Sequence, residues 1–144
     1  MVVAVVLIIL SSFRYRADYH FNEAMKMRKF GYIDEHIAEC EKAVRLNPFV
    51  LNYVNTLAMT YHQTAIKAVQ AVNRKEASKW LAKSIYTAEK VQEMYPGEYY
   101  SARMLMEDYM LMSTIQISKR DFLPEIEKYH NIVISARPFK ERVK

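Results

Sequence analysis

Histidine, cysteine and neighbouring carboxylates are the side chains in this sequence that could do acid–base, nucleophilic or metal chemistry. Cys40, the single cysteine, lies on the apolar stripe of its predicted helix, which favours a buried thiol over a nucleophile. Carboxylate pairs such as Glu35 and Glu39 are typical of solvated helix faces. The histidines fall on separate predicted helices and form no HExxH or His-x-His motif (His20, His36, His62, His130). The sequence therefore predicts no catalytic residue, no metal site and no cofactor, and a protein that is not an enzyme.

The composition limits the kind of fold that positions these residues. The chain has 144 residues, of which 51% are apolar and 26% charged, as in a single globular domain. Two glycines and four prolines are too few for the turns of an all-β fold or for a phosphate-binding loop. The net charge of +5 comes without a run of five or six basic residues, so nucleic acid is not a predicted partner. An anionic membrane surface suits the same charge.

Apolar residues recur with helical spacing along the whole chain and predict six helices. The first runs from the apolar start to Gly31, a residue that readily takes the left-handed dihedrals of a helix end. Asp34 is the predicted N-cap of the second helix. Prolines at Pro48, Pro96 and Pro138 close three helix pairs, which predicts a solenoid of helical hairpins rather than a closed bundle. The remaining helices are predicted over about 50–72, 75–95, 98–118 and 122–136.

The stretch from Ala17 to Val50 carries a hairpin turn at residues 31–35 (GYIDE) and a second-helix ending at residues 41–48 (EKAVRLNP). Ala24 stands where two helices would cross closely, and Ala43 where the next hairpin would pack. This unit resembles a tetratricopeptide repeat (TPR), although His36 stands where that family favours alanine. The openings of two later units match its first helix less closely: Val54, Leu57, Ala58 and Tyr61, then Ala102, Leu105, Met106 and Tyr109.

The TPR resemblance implies an all-α solenoid of about three TPR-like units over residues 17–138. It would follow a hydrophobic N-terminal helix over 1–16 and precede a basic tail over 139–144. In such a solenoid the first helix of each pair lines a face that binds an extended or helical protein or peptide partner. The groove residues predicted in this way are Phe21, Met25, Arg28, Asn52, Asn55, Met59, His62, Tyr100 and Arg103. An equally weighted interpretation makes them ordinary solvent-facing residues, with two methionines partly in the core.

The first residues of the chain form an apolar run. It is shorter than the roughly twenty residues that cross a bilayer as a helix, and it lacks the basic start and cleavage site of a signal peptide. Two interpretations stay open: the end of a membrane helix, or a helix that buries itself in its own copies or in a partner. An ordinary core segment is the third. Residues 1–13 are thus predicted to mediate membrane contact or self-association, with the anchor formed by Val2, Val3, Val5, Val6, Leu7, Ile8, Ile9 and Leu10.

A narrower resemblance covers the apolar run, residues 14–19 (RYRADY) and the repeat ending at residues 46–49 (LNPF). Together they resemble the C-terminal TPR region of bacterial O-antigen ligase-like membrane proteins. The resemblance implies a membrane-associated location in the bacterial cell envelope. It also implies that the glycan chemistry belongs to the membrane part of those proteins and not to the residues seen in this chain.

Two functions follow from these patterns. The first is a non-catalytic, membrane-tethered, TPR-like scaffold for protein–protein interaction in cell-envelope or glycan assembly. The alternative is a structural subunit of an extracellular, pilin-like helical filament, a homo-oligomer packed through its hydrophobic N-terminal helix. Val5 stands where bacterial pilins carry a glutamate, which weakens the filament interpretation.

Overall fold

The structure is a computed structural model that describes residues 2–115 and 121–136. Within these ranges the chain forms six α-helices and no strand, which confirms the predicted all-α class. The predicted end of the fifth helix near residue 118, the last proline and the basic tail lie outside the described residues. The helices are α1 (Val2–Phe30), α2 (Ile33–Leu46), α3 (Leu51–Gln70), α4 (Arg74–Met94), α5 (Tyr99–Thr114) and α6 (Leu123–Ala136).

The turn between α1 and α2 forms as the glycine predicts, but the cap of α2 differs. Gly31 has a φ of +80°, and the Tyr32 N–H donates to the Met27 carbonyl at 3.0 Å, as in a left-handed helix end. The N-cap of α2 is Tyr32, which makes no side-chain capping bond. Asp34 lies in the first turn instead, where a negative charge suits the helix dipole. The prediction of Asp34 as the N-cap is therefore wrong.

The chain divides into two compact units, residues 1–57 and 58–144, and the division falls inside α3. In the first unit α1 packs against α2 around the buried residues Ala17, Ala43 and Tyr53. Because two of these three are alanines, the two helices approach closely at this point. Helix α1 continues without a break across residues 16 and 17, where the hydrophobic segment and the repeat domain are predicted to meet.

In the second unit α5 packs against both α4 and α6. One apolar cluster consists of Ala65, Ala77, Leu81 and Ile115, and the single tryptophan, Trp80, packs against it. The Trp80 ring lies 5.7 Å from that of Tyr61. A larger cluster joins all the helices of the unit through Ala58, Ala88, Ala102, Met104, Leu105, Tyr109, Phe122 and Tyr129.

The turn between α4 and α5 is held by one side chain. The Gln92 amide nitrogen donates to the Glu98 carbonyl at 2.6 Å and to the Ser101 hydroxyl at 2.7 Å. Its amide oxygen accepts from the Gly97 N–H at 3.1 Å. The Glu98 carboxylate caps α5 by accepting from the N–H groups of Tyr100 and Ser101. The start of α5 is therefore fixed by polar bonds as well as by packing.

The turn that follows α3 contains a residue with a strained backbone. Val72 has a φ of +58°, the left-handed region, and is 79% exposed, so its side chain adds little packing. A β-branched residue is disfavoured there, whereas glycine is not. We expect Val72→Gly to raise the free energy of unfolding by about 1 kcal/mol in a urea titration. Ala71→Gly, one residue earlier, should lower it, and the same gain from both variants would contradict the prediction.

Candidate partner-binding site

A buried imidazole lies between two carboxylates in the second unit. His62 on α3 is 9% exposed, and its Nδ1 donates to Oδ1 of Asp108 on α5 at 2.6 Å. Its Nε2 lies 3.4 Å from Oε2 of Glu107, the preceding residue on α5. Asp108 is completely buried. The imidazole therefore links α3 to α5 by two polar contacts at one point.

Glu107 connects the buried pair to the protein surface. Its Oε1 accepts from the Arg103 Nε at 2.9 Å, a pair spaced i, i+4 on α5. Both side chains are partly exposed. Two of the predicted groove residues, His62 and Arg103, are thus brought together through one carboxylate. The result is a guanidinium on the exposed face of α5 whose position depends on a buried polar pair.

The two buried groups affect the protonation of each other. Burial alone would lower the pKa of His62, but the hydrogen bond and charge of Asp108 and the charge of Glu107 outweigh it and raise that pKa. Burial raises the pKa of Asp108 and outweighs the opposite effects of His62 and the Ser84 hydroxyl. The Asp108 Oδ2 atom accepts no hydrogen bond. The acidic neighbours of His62 therefore favour the protonated form of its imidazole.

This arrangement is suited to holding a surface group in place. The imidazole Nε2 faces Glu107, so both ring nitrogens contact carboxylates. In the part of the chain that the structure describes, no group of three His, Cys, Asp or Glu side chains could hold a metal ion. The feature that this cluster offers to a partner is the Arg103 guanidinium, a donor suited to carboxylates and backbone carbonyls.

The other predicted groove residues lie in both units. In the first unit the Phe21 ring is half-buried, 4.6 Å from that of Tyr53, and Met25 and Asn55 are also half-buried. Arg28 and Asn52 are exposed. In the second unit Met59 and Tyr100 are exposed, and the Tyr100 ring lies edge-on to Tyr99 at 5.3 Å. The exposed residues Tyr100 and Arg103 lie three positions apart, on one face of α5.

Asp108 and Ser84 complete the cluster and were not among the predicted site residues. Asp108 stands three positions after Leu105, on the apolar stripe of α5, where an acidic residue is out of place. That mismatch is a signal that sequence reasoning could use, because a buried carboxylate needs a partner. Another missed pair is Tyr53 and Asp18 in the first unit, where the tyrosine hydroxyl donates to the carboxylate.

Cys40 is buried in the first unit, as the sequence predicts. Burial raises the pKa of its thiol to about 12, so the thiolate is not available near neutral pH. His36, one helical turn earlier, is also buried, and its Nδ1 donates to the Ala24 carbonyl at 2.8 Å. Burial lowers the pKa of His36, and the charge of Arg28 adds to that effect.

The apolar start of α1 presents exposed side chains at the positions that the structure describes. Five of these are Val3, Val6, Ile9, Leu10 and Phe13. The other predicted anchor side chains, Val2, Val5, Leu7 and Ile8, lie outside the described part. Among the described residues, none of the helices combines the length and the apolar character needed to cross a bilayer.

The pKa of His62 leads to a prediction for the pH dependence of stability. Because this pKa is raised in the folded state, the stabilisation is complete below the ordinary value of 6.5 and is lost as pH rises through the raised value. The pKa of Asp108 is also raised, from its ordinary value of 3.8, so its contribution to stability likewise falls as pH rises. We expect urea unfolding to require less denaturant as pH rises above 6.5, and His62→Gln to remove most of this decline. An unchanged decline in the variant would contradict the assignment.

Comparison with known protein families and curated proteins identifies no relative of the chain. The chain matches none of the models of known protein families and none of the curated proteins. The residues and contacts of the chain itself are therefore the basis for its proposed function.

Proposed function

We propose that the chain is a non-catalytic, TPR-like scaffold that binds a protein or peptide partner and is tethered to a membrane through the start of α1. The observation that carries the binding part is the Arg103 guanidinium beside exposed Tyr100, held by Glu107 and through it by buried His62. A cation fixed before a partner arrives loses less conformational entropy on binding than a free one. An aromatic ring and an arginine together are typical of interface centres.

The first unit supports the TPR-like part of the proposal. Ala24 and Ala43, the small residues that the repeat pattern requires, are fully buried. The hairpin turn at Gly31 has the left-handed geometry that this pattern needs. His36 replaces the usual alanine, and its ring donates to the Ala24 carbonyl, so the larger side chain is accommodated by a polar bond.

The membrane part rests on the anchor face, which we define as exposed Val3, Val6, Ile9, Leu10 and Phe13 of α1. Contiguous exposed apolar side chains mark surfaces that a membrane or a partner covers. Arg14 and Arg16 follow directly and suit anionic headgroups. The O-antigen ligase-like resemblance directs this proposal to the bacterial cell envelope. The same face also favours the second candidate, a filament in which copies of α1 cover each other.

Flotation of the full chain with neutral phosphatidylcholine vesicles tests the tether. We expect the chain to float, and the variant Ile9→Ser/Leu10→Ser/Phe13→Ser to stay in the soluble fraction. The matched control Phe30→Ser/Phe49→Ser/Ile134→Ser changes three other exposed apolar residues and should still float. Long polymers in plain buffer that the first variant abolishes would favour the filament. A chain that neither floats with vesicles nor forms polymers would overturn both candidates.

Selection of a displayed random-peptide library against the full chain tests partner binding. Peptides that use the proposed site should bind Arg103→Ala roughly 10- to 100-fold more weakly, since a hydrogen bond to a charged group contributes about 1.5–3 kcal/mol. Arg45→Ala, another exposed arginine, should leave binding unchanged. Selected peptides that bind both variants equally, or the absence of any selected peptide, would argue against the site.

A further inference from the structure

One face of α4 carries all four lysines of that helix. At about 100° per residue, these lysines and one tyrosine fall within an arc of about 80°, over a length of about 22 Å. Lys75, Lys79 and Lys90 are exposed, Lys83 is half-buried, and Tyr86 is 61% exposed. We call this the lysine face: Lys75, Lys79, Lys83, Tyr86 and Lys90.

Aromatic rings hold three of these ammonium groups in place. The Lys79 Nζ lies 5.0 Å from the ring centre of Trp80, and the Lys83 Nζ lies 5.0 Å from that of Tyr61 and 5.1 Å from that of Trp80. The Lys90 Nζ lies 4.4 Å from the ring centre of Tyr86. Cation–π contacts of this length are attractive. Such contacts are modest at exposed sites and favour side-chain conformations that keep the ammonium groups along this side of the helix.

The acidic residues of α4 leave this face positive. Helix α4 has five basic and three acidic residues. Glu76 lies 3.5 Å from Lys79, and Glu89 accepts from the Tyr109 hydroxyl at 2.8 Å, toward α5. The third acid, Glu93, falls within the same arc in the last turn of the helix, three positions after Lys90, so the face carries four lysines against this one carboxylate. Because the lysine face is one side of one helix, it is convex and fits an extended anionic surface.

We propose that the lysine face binds the headgroups of an anionic lipid bilayer. Each lysine near such a surface contributes about a fivefold gain in affinity, and tyrosine and tryptophan rings favour the headgroup level. Single-stranded nucleic acid is less suitable, because it needs open ring faces for base stacking, and lysine ammonium groups already lie over the rings of Trp80 and Tyr86. The inference rests on the proposed function, since a tethered chain meets the bilayer at high local concentration.

Vesicle binding by the full chain tests this, with neutral phosphatidylcholine vesicles compared with vesicles that also contain phosphatidylglycerol. We expect anionic lipid to increase binding on the order of 100-fold at low salt, and high salt to remove most of that gain. The variant Lys79→Gln/Lys83→Gln/Lys90→Gln should lose the gain from anionic lipid even at low salt. The control Lys42→Gln/Lys67→Gln/Lys128→Gln removes the same charge from α2, α3 and α6 and should retain most of it. The emission of Trp80 should shift to shorter wavelength on anionic vesicles alone.

The outcomes separate this inference from the tether. Equal binding to neutral and anionic vesicles would overturn the lysine face and leave the tether standing. Binding to anionic vesicles alone, lost in the α4 variant, would support the lysine face and overturn the tether. Equal losses in the α4 variant and its control would show a general charge effect and overturn the inference. A single-stranded oligonucleotide that displaces the vesicles and depends on the same three lysines would also overturn it.

Discussion

Replacement of His62 by leucine is expected to lower the free energy of unfolding by about 3–5 kcal/mol. The leucine fills much of the imidazole volume but removes the hydrogen bond to Asp108, whose other carboxylate oxygen already lacks a partner. A fully buried carboxylate without its hydrogen-bond partner is costly, because water cannot reach it. Urea unfolding followed by circular dichroism measures the loss.

The double variant His62→Leu/Asp108→Leu should recover most of that stability, because it removes both buried polar groups together. His130→Leu changes an exposed histidine on α6 and should alter stability by less than about 0.5 kcal/mol. If the double variant is as unstable as the single one, the loss comes from packing and not from the orphaned carboxylate. Peptides selected on the original chain should also bind His62→Leu more weakly, since Arg103 loses its fixed neighbour.

Ala43→Trp is expected to destabilise the first unit by about 3 kcal/mol, the upper end of the usual cost of overpacking. Ala43 is fully buried against Ala17 and Tyr53, and an indole ring in such a close-packed contact forces the surrounding helices to move. The added volume would push α1 away from α2 and Tyr53, which also weakens the ring contact between Phe21 of α1 and Tyr53. Thermal unfolding followed by circular dichroism is the measurement.

Ala38→Trp is the matched control, because Ala38 lies on the exposed side of the same helix. It should change the midpoint temperature little, since a surface substitution usually has an effect within about 0.5 kcal/mol. A midpoint for Ala43→Trp equal to that of the control would show that the small-residue contact between α1 and α2 is not formed in solution. The TPR-like proposal would then lose its main support.

The helices could be predicted from the sequence because their ends depend on local chemistry. Gly31, Pro48 and the Pro96–Gly97 pair act within one turn of the chain, and the structure ends or begins helices next to each of them. Val72 shows the limit of such reasoning. A β-branched residue in the left-handed region gives no local signal, so the predicted end of α3 is two residues later than the observed one.

The candidate site was less predictable because it depends on contacts between helices distant in sequence. The spacing of α3 identifies His62 as a groove residue, and only the packing of α5 against α3 and α4 surrounds it with Asp108 and Glu107. Forty-six positions separate His62 from Asp108, so no local pattern relates them. The apolar stripe of α5 does mark Asp108 as unusual, but it cannot identify the partner.

The single cysteine and the single tryptophan fall in different units, which provides one probe for each. Cys40, buried and with its thiol protonated, can react with an alkylating reagent only when the first unit opens. Trp80, in contact with Tyr61, changes its fluorescence when the second unit loosens. Labelling rates and emission measured on one unmodified sample would therefore reveal whether the two halves melt together or in sequence.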